Sequence, residues 1–355
     1  MTALPTLPQS RGIRAAFGPI LFLLLWEGTA RVLTDSFVLA GPTAIAAYLI
    51  DNAGLMWRAL VETLTNAAAG FIIGNVAAVA LAILAIVVPR SELAVRGFAL
   101  LVFCLPLVAT GPILRVIFGP GPWPQITLAA LAVYYTTLIP LLVGLRALPS
   151  GWLDLVRSYG RGRVAALVHI RAMASVPYLV AGLQIAAPAA FLGAMVGEFT
   201  GAERGMGVLT IRAMRGMNVD MTWALATVAT VVAVLAYVAI GKLAQRYLKE
   251  EPPVILAAPP LPGTTRRTAV AATLVVLTIA ALSIWWAAIP ALGLNPFFAK
   301  GPDDVFAALV LAPDAAATRA ALAQAVAETA VFLIPGYFAG LAAGAGLAML
   351  LVLVP

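Results

Sequence analysis

Long apolar runs separated by short polar breaks set the pattern of this chain. About 20 apolar residues suffice to cross a hydrocarbon core. The first such run, Ala15 to about Val32, follows Arg11 and Arg14 and contains Glu27 and Arg31. No cleavage site follows it, so it reads as an uncleaved membrane helix and not as a signal peptide. Asp35 to Trp57, with Gly41-Pro42 and neither lysine nor arginine, reads as a loop. A second helix is predicted from about Arg58 to Val88, closed by Pro89-Arg90. Arg96 opens a third, which runs through FCLPLVATGPILRVIFG to the turn GPGPWP. A fourth covers about Gln125 to Ala147 and a fifth about Val176 to Val196. After the loop GEFTGAERGMGVLTIRAMRGMNVD, a sixth covers about Met221 to Leu243.

The longest polar break inside these helices is Leu148 to Pro177, and it is also the most basic, with Arg157, Arg161, Arg163, His169 and Arg171. Trp152, Leu153, Val156 and Tyr159 form the apolar side of a short amphipathic helix there, interrupted by Gly160 and Gly162. Glycine inside a helix costs about 1 kcal/mol relative to alanine, so a bend or a close packing surface is expected. A basic amphipathic helix slung between two apolar ones implies a partner.

Composition agrees with the pattern. The chain is 63% hydrophobic and 10% charged, against roughly 25% charged in soluble domains. The fold class is therefore all-α, a polytopic transmembrane helical bundle lying in a lipid bilayer. The 30 glycines and 25 prolines fit that class, because membrane helices tolerate both where neighbours re-satisfy the backbone. The net charge of +7 then reads as topology, and no nucleic acid is expected as a partner. Arg11, Arg14, Arg90, Arg96, Arg146, the Arg157–Arg171 cluster, Lys242, Arg246 and Lys249 fall on one side. Arg58, Arg204, Arg212 and Arg215 fall on the other, accompanied by Glu198, Glu203 and Asp220. Excess Lys and Arg in short loops marks the cytoplasm. The N-terminus and the Leu148–Pro177 stretch are accordingly expected to be cytoplasmic.

Three domains are expected: residues 1–248 as a first six-helix unit, a proline-rich cytoplasmic linker at 249–268, and a second unit at 269–355. The linker, KEEPPVILAAPPLPGTTRRT, cannot continue a helix and acts as a semi-rigid spacer. Beyond it the pattern restarts as a copy. Leu39-Ala40-Gly41-Pro42 corresponds to Ala299-Lys300-Gly301-Pro302, Glu62-Thr63 to Glu328-Thr329, Gly70 to Gly336, Gly74 to Gly340 and Pro89 to Pro355. Six helices per unit and a cytoplasmic linker make the repeat parallel. With Pro355 opposite Pro89, the second copy reads as its first two helices only.

These residues resemble the inner-membrane permeases of bacterial ABC importers, in the nitrate/sulfonate/taurine branch, over about Ala15–Leu248 and again Ala269–Pro355. Their cytoplasmic loop has the form E-A-A, three residues, G, nine residues, I-x-L-P. Here Asp154, Leu155 and Val156 stand at E-A-A, Gly160 at the glycine and Ile170 at the isoleucine, while Ala172 and Met173 replace Leu-Pro and Pro177 matches a second proline of the branch. GLQIAAPAAFLGAMVGEFTGAERGMGVLTIRA and LPLVATGPILRVIFGPGPWP are also similar to the branch. The resemblance implies that Asp154, Val156, Tyr159, Gly160, Ile170 and Pro177 belong to a coupling helix seated on a separate pair of ABC ATPase subunits. It implies further a periplasmic solute-binding protein and a second permease unit as partners, in the bacterial inner membrane. A fused double permease would carry both units in one chain.

The chain holds no Walker-A sequence, since Gly241-Lys242 is followed by Leu243 without a glycine-rich lead. No cofactor, metal or catalytic constellation is expected, and any ATP hydrolysis falls to another polypeptide. Single Cys104 excludes an intrachain disulfide and, in its apolar run, reads as core packing. Glu27, Arg31 and Glu62 lie near helix ends, where long charged side chains reach the interface. Arg115 and Glu198 are candidates for the solute pathway, Glu198 with a structural pairing to Arg204 or Arg212 as its other reading. Gly70–Gly74 and Gly336–Gly340 have the spacing of close helix packing. A permease of this kind alternately opens to either side of the membrane. Arg115, Arg212 and Arg215 favour an anion, and the resemblance implies nitrate, a sulfonate or taurine as the solute. A secondary transporter or a membrane assembly protein with a docking loop is the competing reading.

Overall fold

The computed structural model describes residues 10–33, 38–147, 152, 154, 156, 158–160, 162–247, 267–291, 293–295, 297 and 299–353. Most of the linker, from Lys249 to Arg266, lies outside the described residues, as do Leu153, Leu155, Arg157 and Arg161 of the basic stretch. The chain divides into two compact units, Met1–Leu277 and Thr278–Pro355. Every regular element among the described residues is helical.

The first unit opens with α1 (Ser10–Val32). A short α2 (Pro42–Asp51) and the start of α3 (Ala53–Val87) occupy the stretch expected to be a loop. Pro42 at the first helical position explains α2, because its fixed φ and missing N–H suit a helix start. Two contacts tie α2 back to α1. Trp26 Nε1 donates to Ala40 O at 3.0 Å, and the Glu27 carboxylate accepts from Thr43 N at 3.1 Å and from Thr43 Oγ1 at 2.7 Å. An anion at a helix N-terminus satisfies its unpaired N–H groups and its dipole. Glu27, which also pairs with Arg31 at 2.9 Å, is therefore a helix cap and not a freely extended charge.

The third predicted helix is two. α4 (Glu92–Phe103) and α5 (Leu107–Phe118) meet at 94° across a break of three residues. Pro106 supplies the cause: it has no N–H to donate, and its ring disfavours helical backbone at Leu105. Cys104 sits in this break and is exposed, which corrects its reading as a packed core residue.

α6 (Trp123–Gly144) is the centre of the unit, flanked by α3 and by α7 (Ala172–Glu198). α7 continues backward through a π-helical turn, Leu167–Arg171, and a helical turn, Arg163–Ala166. The helix from Val164 to Glu198 is thus 35 residues long. The second half of the stretch expected as a loop, with Ile170 and Pro177, is its first part. α8 (Met206–Arg215) and α9 (Val219–Tyr247) complete the unit.

Small residues let the central three helices approach closely. A Cβ at Gly70 would lie 2.3 Å from Ala129 Cβ, and one at Gly74 2.9 Å from Val133 Cβ. On the other face of α6, a Cβ at Gly193 would lie 2.9 Å from Ala129 Cα. With lipid as apolar as the side chains, contact area and hydrogen bonds drive such packing. Thr137 Oγ1 donates to Asn75 Oδ1 at 2.7 Å across α6 and α3. Ala78, Ala82, Ala129, Val133, Leu138 and Ala194 are almost fully buried around this axis.

α10 (Arg267–Ala291) leads into the second unit, where α11 (Pro302–Phe306), a π-helical turn (Ala307–Leu311) and α12 (Ala315–Leu353) follow. Trp285 Nε1 donates to Lys300 O at 3.1 Å, just before Gly301-Pro302. The Asp304 carboxylate accepts from Gly301 N at 2.9 Å.

Candidate functional site

Two places carry the chemistry, one at each end of α7. At its Arg163 end, Trp152, Asp154, Val156 and Ser158 have helical backbone, and Tyr159 and Gly160 turn the chain toward α7. Gly160 has φ +67, a left-handed conformation that L side chains resist. Asp154 is exposed, Val156 is half-buried and Tyr159 is 76% exposed. Trp152 and Val164, on either side of the turn, are exposed as well. Ile170 and Pro177 are half-buried along α7. The six residues expected to form one coupling site therefore divide. Four lie on the exposed segment and two on the helix it feeds.

Close to that segment, α4 and α6 are locked by charge. Glu92, 7% exposed, pairs with Arg96 at 3.1 Å and with Arg146. Arg171 Nη1 donates to Leu145 O at 3.3 Å and ties the π-helical turn to the end of α6. Sequence reading assigned Arg96 and Arg146 to topology and passed over Glu92. Its signal was present, since Glu92 and Arg96 stand one helical turn apart.

At the other, distal end, Glu198 is 2% exposed. Its carboxylate accepts from Thr63 Oγ1 at 2.8 Å and from Gly207 N at 2.6 Å, while Thr63 Oγ1 accepts from Met206 N at 2.8 Å. The expected pairing with Arg204 or Arg212 does not form. Glu198 instead satisfies the Gly207 N–H in the first turn of α8, Thr63 satisfies that of Met206, and the carboxylate joins α3, α7 and α8. Gly205, with φ +125, permits this approach: a Cβ there would lie 2.2 Å from the Glu198 carboxyl carbon. Thr63 was visible in the sequence only as half of the repeated Glu-Thr pair.

Glu198 is absent from the wall of the distal cavity that Arg115 lines. That cavity, of about 400 Å³, is bounded by Glu62 and Asn66 of α3, Arg115 of α5, Gln125 of α6 and the loop residues Glu203 and Arg204. A neighbouring cavity of about 570 Å³ shares Glu62, Glu203 and Arg204 and adds Arg58 and Arg212. Asn66 and Gln125 are 5% and 3% exposed. In the orientation that satisfies its neighbours, the Gln125 amide nitrogen donates to Pro122 O at 3.0 Å and to Gly121 O at 2.9 Å. Sequence reading found Arg115 but neither amide, because a lone Asn or Gln in a helix carries no pattern.

Residues 70–250 match the family described as the binding-protein-dependent transport system inner membrane component. A probable ABC transporter permease protein of Haemophilus influenzae is 27% identical over 64% of this chain and 94% of its own length. The formylaminopyrimidine transport permease protein ThiX of Halalkalibacterium halodurans is 27% identical over 64% of this chain and 93% of its own. A putative aliphatic sulfonates transport permease protein, SsuC of Escherichia coli, is 24% identical over 64% and 85%. The match runs from the glycine seam of α3 through both ends of α7 to α9, and the chain belongs to this family of ABC importer inner-membrane permeases.

Proposed function

We propose that this permease admits a small acidic solute from the outer side of the membrane, with motion relayed from an ATPase through α7. One observation carries this reading. The exposed segment ending at Gly160 and the buried Glu198 node terminate the same helix, 35 residues from Val164 to Glu198. At about 1.5 Å per residue that is about 52 Å of continuous helix. A force applied to Asp154–Gly160 enters this helix just past the Gly160 turn and reaches α3 and α8 through Glu198. Tilting of packed helices in this manner is a common form of switching motion.

In this reading the basic Arg163–Arg171 end faces the cytoplasm, with the N-terminus on the same side. Trp152, Val156 and Tyr159 offer apolar contacts to a groove on an ATPase subunit, as amphipathic helices do. A binding protein docks at the opposite face. The second unit repeats the start of the first in parallel, a reading supported by the repeated clamp of Trp26 on Ala40 and Trp285 on Lys300, each just before Gly-Pro. An acidic solute fits Arg115 and Arg204 at the distal cavity and accords with the sulfonate permease among the relatives.

The test is purification of the tagged protein from native membranes with identification of what accompanies it. An ATPase is expected with the parent chain and lost with Gly160→Trp, membrane insertion of the variant being checked in parallel. An ATPase retained by Gly160→Trp, or none with the parent, would overturn coupling through this segment.

A further inference from the structure

The distal cavity contains a combination that packing alone does not account for. Asn66 is 5% exposed and lines the cavity, yet its amide has no hydrogen-bond partner among the described residues. It stands one helical turn from Glu62, so the two share a face of α3. Around them are Arg115, Arg204 and Glu203, carried by α5 and by the loop between α7 and α8. None of these four charged groups forms an ion pair among the described residues. A water molecule can satisfy a buried amide. It does not explain two positive and two negative groups held around one space on separate elements and left unpaired.

We propose that this cavity is a recognition site of the permease itself for small zwitterions, molecules with an acid head and an ammonium or similar cationic group. The proposal rests on the permease reading and narrows its solute. The acid head is taken by Arg115 and Arg204, since guanidinium groups bind planar and tetrahedral oxyanions through charge-assisted hydrogen bonds. Glu62 and Glu203 take the cationic end, and the Asn66 amide hydrogen-bonds the acid oxygens. A simple anion gains from the arginines but meets both carboxylates, whereas a dipolar solute engages both signs. The cavity's approximate neutrality is what separates the two classes. Gln125, tied to the turn at Gly121 and Pro122, holds the floor in shape.

The experiment uses the full chain purified alone, without ATPase or binding protein, and titrated by calorimetry. The probes are taurine and β-alanine as zwitterions, methanesulfonate as anion and ethylammonium as cation. Saturable binding of a zwitterion is expected, about tenfold or more tighter than methanesulfonate. Glu203→Gln, on an exposed loop, is expected to remove that preference while leaving methanesulfonate binding in place. Arg115→Gln is expected to abolish both, and Asn66→Leu to weaken both. If Arg115→Gln does not fold, Glu203→Gln decides alone. Absence of saturable binding, or methanesulfonate binding as tightly as the zwitterions, overturns the proposal. A separate pull-down with the binding protein covers the case in which no solute binds: loss of capture on Glu203→Gln would make the cavity a protein seat and overturn the proposal. Co-purification of the ATPase reports separately on the permease reading, so the two can fail independently.

Discussion

Glu198 and Thr63 stand 135 positions apart in the chain and are joined by a buried hydrogen bond of 2.8 Å. The same Thr63 oxygen accepts from Met206 N, and the same carboxylate accepts from Gly207 N. Four groups on three helices thereby satisfy one another where no water is needed. A network of this kind fixes the entry of α8 relative to α3 and α7.

Removing either member should unfold that corner. Glu198→Ala leaves the Gly207 N–H and the Thr63 hydroxyl without their acceptor, and a buried group so stranded costs about 1–3 kcal/mol. Thr63→Val leaves the Met206 N–H in the same position. Thermal unfolding in detergent, followed by circular dichroism, should show each variant destabilised and the double variant less so than the sum. Additive losses would mean that the contacts act separately.

Gly205 and Gly201 separate backbone strain from collision. Both have positive φ, +125 and +109, where an L residue costs about 1–2 kcal/mol. A Cβ at Gly201 meets nothing closer than Arg115 Nε at 3.9 Å, while one at Gly205 would strike the Glu198 carboxylate. Gly205→Ala should therefore lower the melting temperature clearly more than Gly201→Ala. Equal losses would show that Glu198 moves aside freely.

The Glu92 cluster makes a charge prediction. Glu92→Gln leaves Arg96 and Arg146 facing each other with 14% and 18% of their side chains exposed. Breaking a buried pair on one side costs about 3–5 kcal/mol, and the partial exposure here puts the expected loss at the lower end. Glu92→Asp should recover part of it. A Glu92→Gln variant as stable as the parent would show the cluster to be hydrated.

The π-helical turn Leu167–Arg171 holds one residue more than a regular helix needs. Deleting Val164, which is 60% exposed in the regular turn ahead of it, should keep the π-helical turn and rotate the Gly160 segment by about 100° about the helix axis. The protein should still insert and melt normally. If coupling runs through this segment, ATPase stimulation in the reassembled complex should be lost. Unchanged stimulation would place the coupling contact elsewhere.

The sequence was informative in proportion to how far each feature is a property of consecutive residues. The apolar runs of α3, α6, α7 and α9 were legible because a span must hide its backbone along its whole length. The glycine pairs at Gly70 and Gly74 were legible as spacing. The break between α4 and α5 was readable in principle from Pro106, yet the apolar pattern passes straight through it. Hydropathy counts residues and is blind to direction. The loop expected at Asp35–Trp57 failed similarly, because a short helix such as α2 is held by Trp26 and Glu27 from another element.

What the sequence by itself determined was the class of the protein: apolar spans, the side on which charge accumulates, and the basic stretch between the fourth and fifth helices. Those follow from the lipid solvent, which acts on each segment separately. Only the tertiary structure decided what Glu198 and Arg115 do. Both were marked as candidates for the solute pathway, and nothing in their neighbours along the chain distinguishes them. Packing placed Glu198 against α8, where its carboxylate is consumed by the Gly207 N–H and the Thr63 hydroxyl. It left Arg115 on the wall of a cavity that Asn66 also lines. Burial and partnership belong to pairs of residues far apart in the chain, so only the fold could tell a structural carboxylate from a guanidinium lining a cavity.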